Sequence, residues 1–143
     1  MVPPVTDGFA DPFADPAVIA RLLESAEVWA VVGLRDNPAR AAFRVAKTLQ
    51  QHGKRIVPVH PRAATVHGEK GYATLAEIPG PVDVVDCFVN SSLVGDVVDQ
   101  AIAVGAKAVW LQLDVIDVAA AERAQAAGLA VVMNRCPAIE WRR

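Results

Sequence analysis

The chain of 143 residues has little of what marks the specialised protein classes. It has two cysteines, Cys87 and Cys136, far apart and in no metal-ligand spacing. Neither a disulfide framework nor a zinc site is expected, and a reducing compartment fits. His52, His60 and His67 show neither metal spacing nor a triad pattern. No single sign of charge dominates: 14 Lys and Arg stand against 16 Asp and Glu, with a net charge of -2. Without a long basic run, broad electrostatic binding to nucleic acid is not expected. No apolar run approaches the ~20 residues that span a bilayer. The first ten residues lack the basic and apolar regions of a secretory signal. The expectation is a cytoplasmic protein with no membrane and no nucleic-acid partner.

What is present fits one compact domain. Apolar residues make up 53% of the chain and charged residues 21%. That composition and length suit a single globular unit with a substantial core. Residues 1–14 carry prolines and no periodicity, and are expected to form a flexible N-terminal arm. The folded domain is then 15–143. Asp15-Pro16 reads as a helix N-cap followed by proline at the first helical position, with the helix ending near Ser25. Val28 to Val32 is a short apolar run ending at Gly33, a strand buried on both faces. A helix is expected over 38–52 and a second strand over 55–59, where Pro58 removes one ladder donor. A polar loop, a short strand near Tyr72 and a brief helix over 74–78 lead to the break Pro79-Gly80-Pro81. Then come a strand over 82–89, a helix capped by Ser91, a strand within 107–113, a helix capped by Asp117, and a last strand over 129–133. Strand and helix alternate with short connections. This predicts an α/β fold: a single Rossmann-like, doubly wound parallel sheet with flanking helices.

Open α/β sheets bind ligands in the crevice beyond the carboxyl ends of their strands. Five places follow. After the first strand, Gly33, Leu34 and Arg35 lead to a helix N-terminus near Pro38, which suits phosphate, with Arg35 and Arg40 able to add charge; a plain turn with two solvated arginines is the alternative. The pattern is neither G-x-G-x-x-G nor a P-loop. After the second strand, His60, Pro61 and Arg62 stand where an NAD site usually has an acid, so Arg62 favours a ligand with a phosphate on its ribose, CoA or NADP; taken alone, Arg62 fits better a surface loop with one arginine. After the next strand, Phe88, Val89 and Asn90 offer an aromatic face and an amide, although such a Phe also serves as core. Asp86, at the end of an apolar strand, needs a partner and is not expected to be a catalytic base. Trp110 and Gln112 follow, the tryptophan better suited to packing and the glutamine to an amide ligand. Last come Asn134 and Arg135, beside Cys136, whose thiol is either structural or activated by the arginine.

Together these segments resemble one family. The strings are Val31-Val32-Gly33, Arg40, Arg44-Val45-Ala46, Val57-Pro58-Val59-His60-Pro61, Gly68-Glu69-Lys70, Tyr72, Ile78-Pro79 and Val82 to Asp86. Ala106 to Gln112, Ala127-Gly128-Leu129 and Val132 to Pro137 complete them. They look like the small stand-alone CoA-binding proteins of the YccU type, similar to the N-terminal CoA-binding domain of the succinyl-CoA synthetase α subunit. The resemblance covers about residues 16–140. It implies coenzyme A across the carboxyl ends of the strands. The diphosphate would lie near Gly33 to Arg35 and Arg40, the adenosine end near His60 to Arg62, and the pantetheine arm along Phe88 to Asn90 and Trp110 to Gln112. The chain departs from the family pattern at Arg35 (often Ser or Thr), His60 (often Asn), Val89 (often Arg) and Asn134 (often Asp). A CoA synthetase also needs a nucleotide-grasp domain and a phosphorylated histidine, for which this chain has no room. Binding of CoA or an acyl-CoA without catalysis is therefore expected. An NADP-type enzyme and a CoA-sensing module that controls an unidentified protein partner are the alternatives.

Overall fold

The computed structural model describes residues 11–143. Five parallel strands form one sheet: β1 (Val28–Val32), β2 (Arg55–Val59), β3 (Val84–Cys87), β4 (Ala108–Leu111) and β5 (Ala130–Met133). Their order is β2-β1-β3-β4-β5. Tyr72 adds a one-residue parallel bridge to Val59 on the outer side of β2. Counted as a rudimentary strand, it turns the order into 3-2-1-4-5-6, that of the dinucleotide-binding α/β sheet. Pro58 fits because its carbonyl accepts from the Tyr72 N–H at 2.9 Å. Its missing donor therefore faces this outer edge and not β1.

The helices are α1 (Pro16–Ser25), α2 (Ala41–Gln51), α3 (Ser91–Ala103), α4 (Val118–Ala126) and α5 (Pro137–Glu140), with a 3-10 turn at Leu75–Glu77. Successive strand residues point to opposite faces, so each buried strand feeds two cores. Trp29, Val31, Ile56, Val84 and Trp110 pack under α1 and α2 with Leu22, Ala46 and Leu49. Ala30, Val57, Val85, Val109 and Val131 pack under α3 and α4 with Val94, Val98, Ala121 and Ala124. The Trp29 and Trp110 rings meet at 5.7 Å between centroids in the first of these cores.

The sequence-based bounds shift in several places, and the strand expected over 82–89 is only Val84–Cys87. Helix α2 begins at Ala41 and not at 38, because Asn37 first closes a turn with its side chain on the Ala39 N–H. The brief helix is the 3-10 turn alone. At the N-terminus, residues 1–10 of the expected arm lie outside the described residues. Residues 11–14 pack on the domain: Phe13 and Ala14 are buried, and the Phe13 carbonyl accepts from the Met133 N–H at 2.7 Å. They shield the otherwise open edge of β5.

Candidate functional site

Strands β1 and β3 lie side by side, but their following helices leave to opposite faces of the sheet. The two loops part at the carboxyl edge and open a crevice there. Gly33 makes the parting possible. It sits at φ +96°, and a Cβ on it would collide with the Phe88 carbonyl oxygen. Its N–H donates to the Val59 carbonyl, and the Phe88 N–H to that of Val32, so both loop starts are pinned to the sheet.

The crevice is a cleft of about 460 Å³. Gly33, Arg35 and Arg40 line it from beyond β1, His60 and Pro61 from beyond β2, and Phe88, Val89 and Asn90 from beyond β3. Thr74 and Leu75 at the 3-10 turn complete the lining together with Leu93, Val97 and Gln100 of α3, the helix that this turn packs against. Arg62 lines an adjoining depression with Arg35 and His60. Among the described residues, Arg35, Arg40 and Arg62 form no ion pair. Burial, then the guanidiniums of Arg35, Arg62 and Arg40, hold the His60 imidazole below its ordinary range. His60 is thus neutral near pH 7, and its Nδ1 faces the Arg62 N–H at 3.2 Å. Nδ1 then accepts, which leaves the proton on Nε2.

Two helices begin at this cleft, and neither is capped by a side chain. Arg40 is the N-cap of α2 and Asn90 that of α3. Their first N–H groups and positive dipole ends are free for an anion. Ser91 does not cap α3 as the sequence suggested. Its hydroxyl donates to the Asp114 carbonyl and accepts from the Ile116 N–H, tying the β4–α4 loop to α3.

Over Phe88, Val89 and Asn90 the cleft runs on into a second cavity of about 290 Å³. Ala41 and Val45 of α2, Gln112 and Cys136 line it. Gln112 is 5% exposed, and its Nε2 donates to Asp86 Oδ1 at 2.7 Å. Asp86 is fully buried, and its Oδ2 has no partner. Burial pushes its carboxyl up to about 7, against the opposing effect of the Gln112 hydrogen bond.

The structure therefore gathers Gly33, Arg35, Arg40, His60, Pro61, Phe88, Val89 and Asn90 in one cleft, with Arg62 beside it and Gln112 in the inner cavity. Other expected residues stay apart. The Leu34 side chain is fully buried in the α1–α2 core. Trp110 is too, and its Nε1 donates to the Arg135 carbonyl, so its ring cannot meet a ligand. Asn134 turns its Oδ1 to the Asp114 N–H. Arg135 pairs with Asp11 at 3.3 Å, which takes its charge away from the cleft. Asn134, Arg135 and Cys136 line a separate cavity toward α1 and α5, and Cys136 alone also reaches the inner one. The sequence reading missed the α3 wall. Leu93, Val97 and Gln100 recur at the i, i+4, i+7 spacing of one helix face, which was the available signal.

Comparison with known proteins adds independent findings. Residues 27–142 match the family described as CoA binding domain. The uncharacterized protein YneT of Bacillus subtilis is 32% identical over 120 residues, which are 84% of this chain and 89% of YneT. The alpha subunit of acetate–CoA ligase [ADP-forming] II from Pyrococcus furiosus is 35% identical over 66 residues, 46% of this chain and 14% of that subunit. The solved structure of a hypothetical protein from Pyrococcus horikoshii OT3 superimposes with a TM-score of 0.85 at 38% identity, covering 90% of each chain.

Proposed function

We infer a ligand from one premise, that the chain belongs to the CoA-binding domain family: it binds coenzyme A or an acyl-CoA across the carboxyl edge of the sheet. One observation carries the assignment. Two arginines in the cleft and a third in the depression beside it, none in an ion pair among the described residues, meet two helix N-termini without side-chain caps, and the cleft continues into a cavity presenting an amide. CoA has the matching chemistry, with phosphates at one end and a chain of two amides at the other. The diphosphate is assigned to Gly33, Arg35, Arg40 and the start of α2. The adenosine end goes to His60, Pro61 and Arg62. The pantetheine arm passes over Phe88, Val89 and Asn90 to Gln112. The name of the partly matching Pyrococcus furiosus ligase subunit includes CoA, which agrees with this assignment.

The chain is proposed to bind without catalysing a reaction alone. The histidines support this, since among the described residues none is paired with a nucleophile: His52 stacks on Trp141, His67 bonds the Phe43 carbonyl, and His60 faces arginines. A CoA-sensing role toward a protein partner is compatible with such a module. An NADP-type ligand is the rival, favoured by Arg62 standing where an acid would hold NAD.

Calorimetric titration of the ligand-stripped protein with CoA, 3′-dephospho-CoA, NAD and NADP separates these readings. The expected result is binding of CoA, weakened without the 3′-phosphate, and none of NAD. A signal with NADP and silence toward CoA would overturn the assignment.

A further inference from the structure

Asp86 is an anomaly within an otherwise well-paired interior. It is fully buried, it accepts one hydrogen bond, and its second oxygen has none. Its neighbours in register are Val31 on β1 and Trp110 on β4, and the overlying α2 buries Ala42, Val45, Ala46 and Leu49. Burial raises its carboxyl and the Gln112 hydrogen bond opposes this, and among the described residues it has no ion-pair partner; the buried Cys87 thiol beside it is in turn raised by burial and by Asp86. A carboxylate without a cation in such a place costs stability. Its single partner, Gln112, lines the inner cavity. Because Nε2 is held by Asp86, the Gln112 Oε1 is the free end of the amide. Among the described residues it has no hydrogen-bond partner, and it is not among the sealed, unpartnered atoms, so it opens to the cavity.

We propose that Asp86 is a positioning residue: by holding the Gln112 Nε2, it fixes the amide so that Oε1 faces the inner cavity as the acceptor for an N–H of the ligand. This rests on the CoA reading, in which that N–H belongs to the pantetheine arm. An ionised Asp86 accepts only, so it can hold only the NH2 end of Gln112. A protonated Asp86 can donate to Oε1 instead, which turns the NH2 toward the ligand and replaces an acceptor with a donor. The burial-raised protonation of Asp86 puts this change within the neutral pH range. An Asn in this place would not fix the amide, because it can offer either its Oδ1 to the Gln112 NH2 or its own NH2 to Oε1.

The test is a pair of measurements on wild type, Asp86→Asn and Gln112→Met. The first follows the Gln112 side-chain amide by NMR from pH 5.5 to 8.5 without ligand. Wild type is expected to show a transition in that range, and Asp86→Asn none. The second is the CoA dissociation constant over the same pH range. Gln112→Met is expected to bind roughly 3- to 10-fold more weakly at pH 8, the loss of one neutral hydrogen bond, and Asp86→Asn, which no longer fixes the amide, to weaken binding by less. The pH dependence due to Asp86 should vanish in both, while any due to His60 persists. A wild-type amide that does not respond to pH, or Asp86→Asn binding CoA with wild-type affinity and pH profile, would overturn the positioning role. Failure of wild type to bind CoA beside an amide that does titrate would overturn the CoA reading and the ligand N–H, not the Asp86–Gln112 coupling.

Discussion

Two aspartates three residues apart in the same segment have opposite fates. Asp83, before the start of β3, accepts from the Glu27 and Val28 N–H groups and pairs with Lys107 at 3.4 Å. Burial raises its carboxyl, but the bonds from Val28, Glu27 and Lys107 outweigh this and hold it below the usual range. Asp86, near the other end of β3, has one bond and an idle oxygen. The helices repeat the contrast. Away from the cleft, Asp15 caps α1 and Asp117 caps α4. At the cleft, α2 and α3 start without side-chain caps. Away from the cleft Asp15, Asp83 and Asp117 each hold backbone N–H groups, whereas the crevice between β1 and β3 leaves its donors and charges free. Stability and ligand affinity therefore depend on different residues, and substitutions should separate them.

The largest effect is expected where both demands meet. Gly33→Ala meets the Phe88 carbonyl at a positive φ, so it should cost about 2–4 kcal/mol of stability and abolish CoA binding. Chemical denaturation and titration would read both losses together.

Asp86→Asn should do the reverse of a damaging core change. An acid whose folded value is raised destabilises the protein as pH rises from its unfolded value, ~3.9, to its folded one. With Asp86 at about 7, this cost grows through the acid range and levels off above neutrality. The variant should therefore exceed wild type by about 2–4 kcal/mol at pH 8 and by little near pH 4. Denaturation midpoints at the two pH values would show it, with equal midpoints at pH 8 counting against the buried, unpaired state.

Arg40→Ala should weaken CoA by about 1.5–3 kcal/mol, the range for a hydrogen bond to a charged group, and leave the melting temperature in place. Asp117→Ala is its mirror image: it should cost about 1 kcal/mol of stability through the lost cap and leave CoA affinity unchanged. The smallest and most discriminating change is Arg40→Asp. It supplies the absent cap to α2 and should raise ligand-free stability by about 0.5–1 kcal/mol, while weakening CoA more than Arg40→Ala does. Loss of stability in Arg40→Asp would break the proposed division.

Much of the fold was legible because the strands are short apolar runs closed by glycine or polar loops. The expected bounds of β1 and β2 agree with the structure to the residue, and Asp15-Pro16 starts α1 as read. Helix α2 was placed too early because the turn-forming side chain of Asn37 competes with the helix for Pro38 to Arg40. At the candidate site, residues immediately beyond β1, β2 and β3 converge, since parallel strands deliver their ends to one edge. What failed was side-chain direction. Trp110 and Leu34 occupy the expected loops and strand ends but point into the core. Arg135 turns to Asp11, a partner 124 residues away that no local pattern reveals. The partnership of Asp86 with Gln112 was likewise out of reach, because it depends on the register of β3 against β4.

The most direct test of this division is the map of backbone amide shifts as CoA is added to the 15N-labelled protein. The account predicts the largest changes at Ala41, Ala42, Ser91 and Ser92, the open ends of α2 and α3, with Ala17 and Ala120 at the capped ends unmoved. Changes centred instead on Ala17 and Arg135, with Ala41 and Ser91 silent, would contradict it.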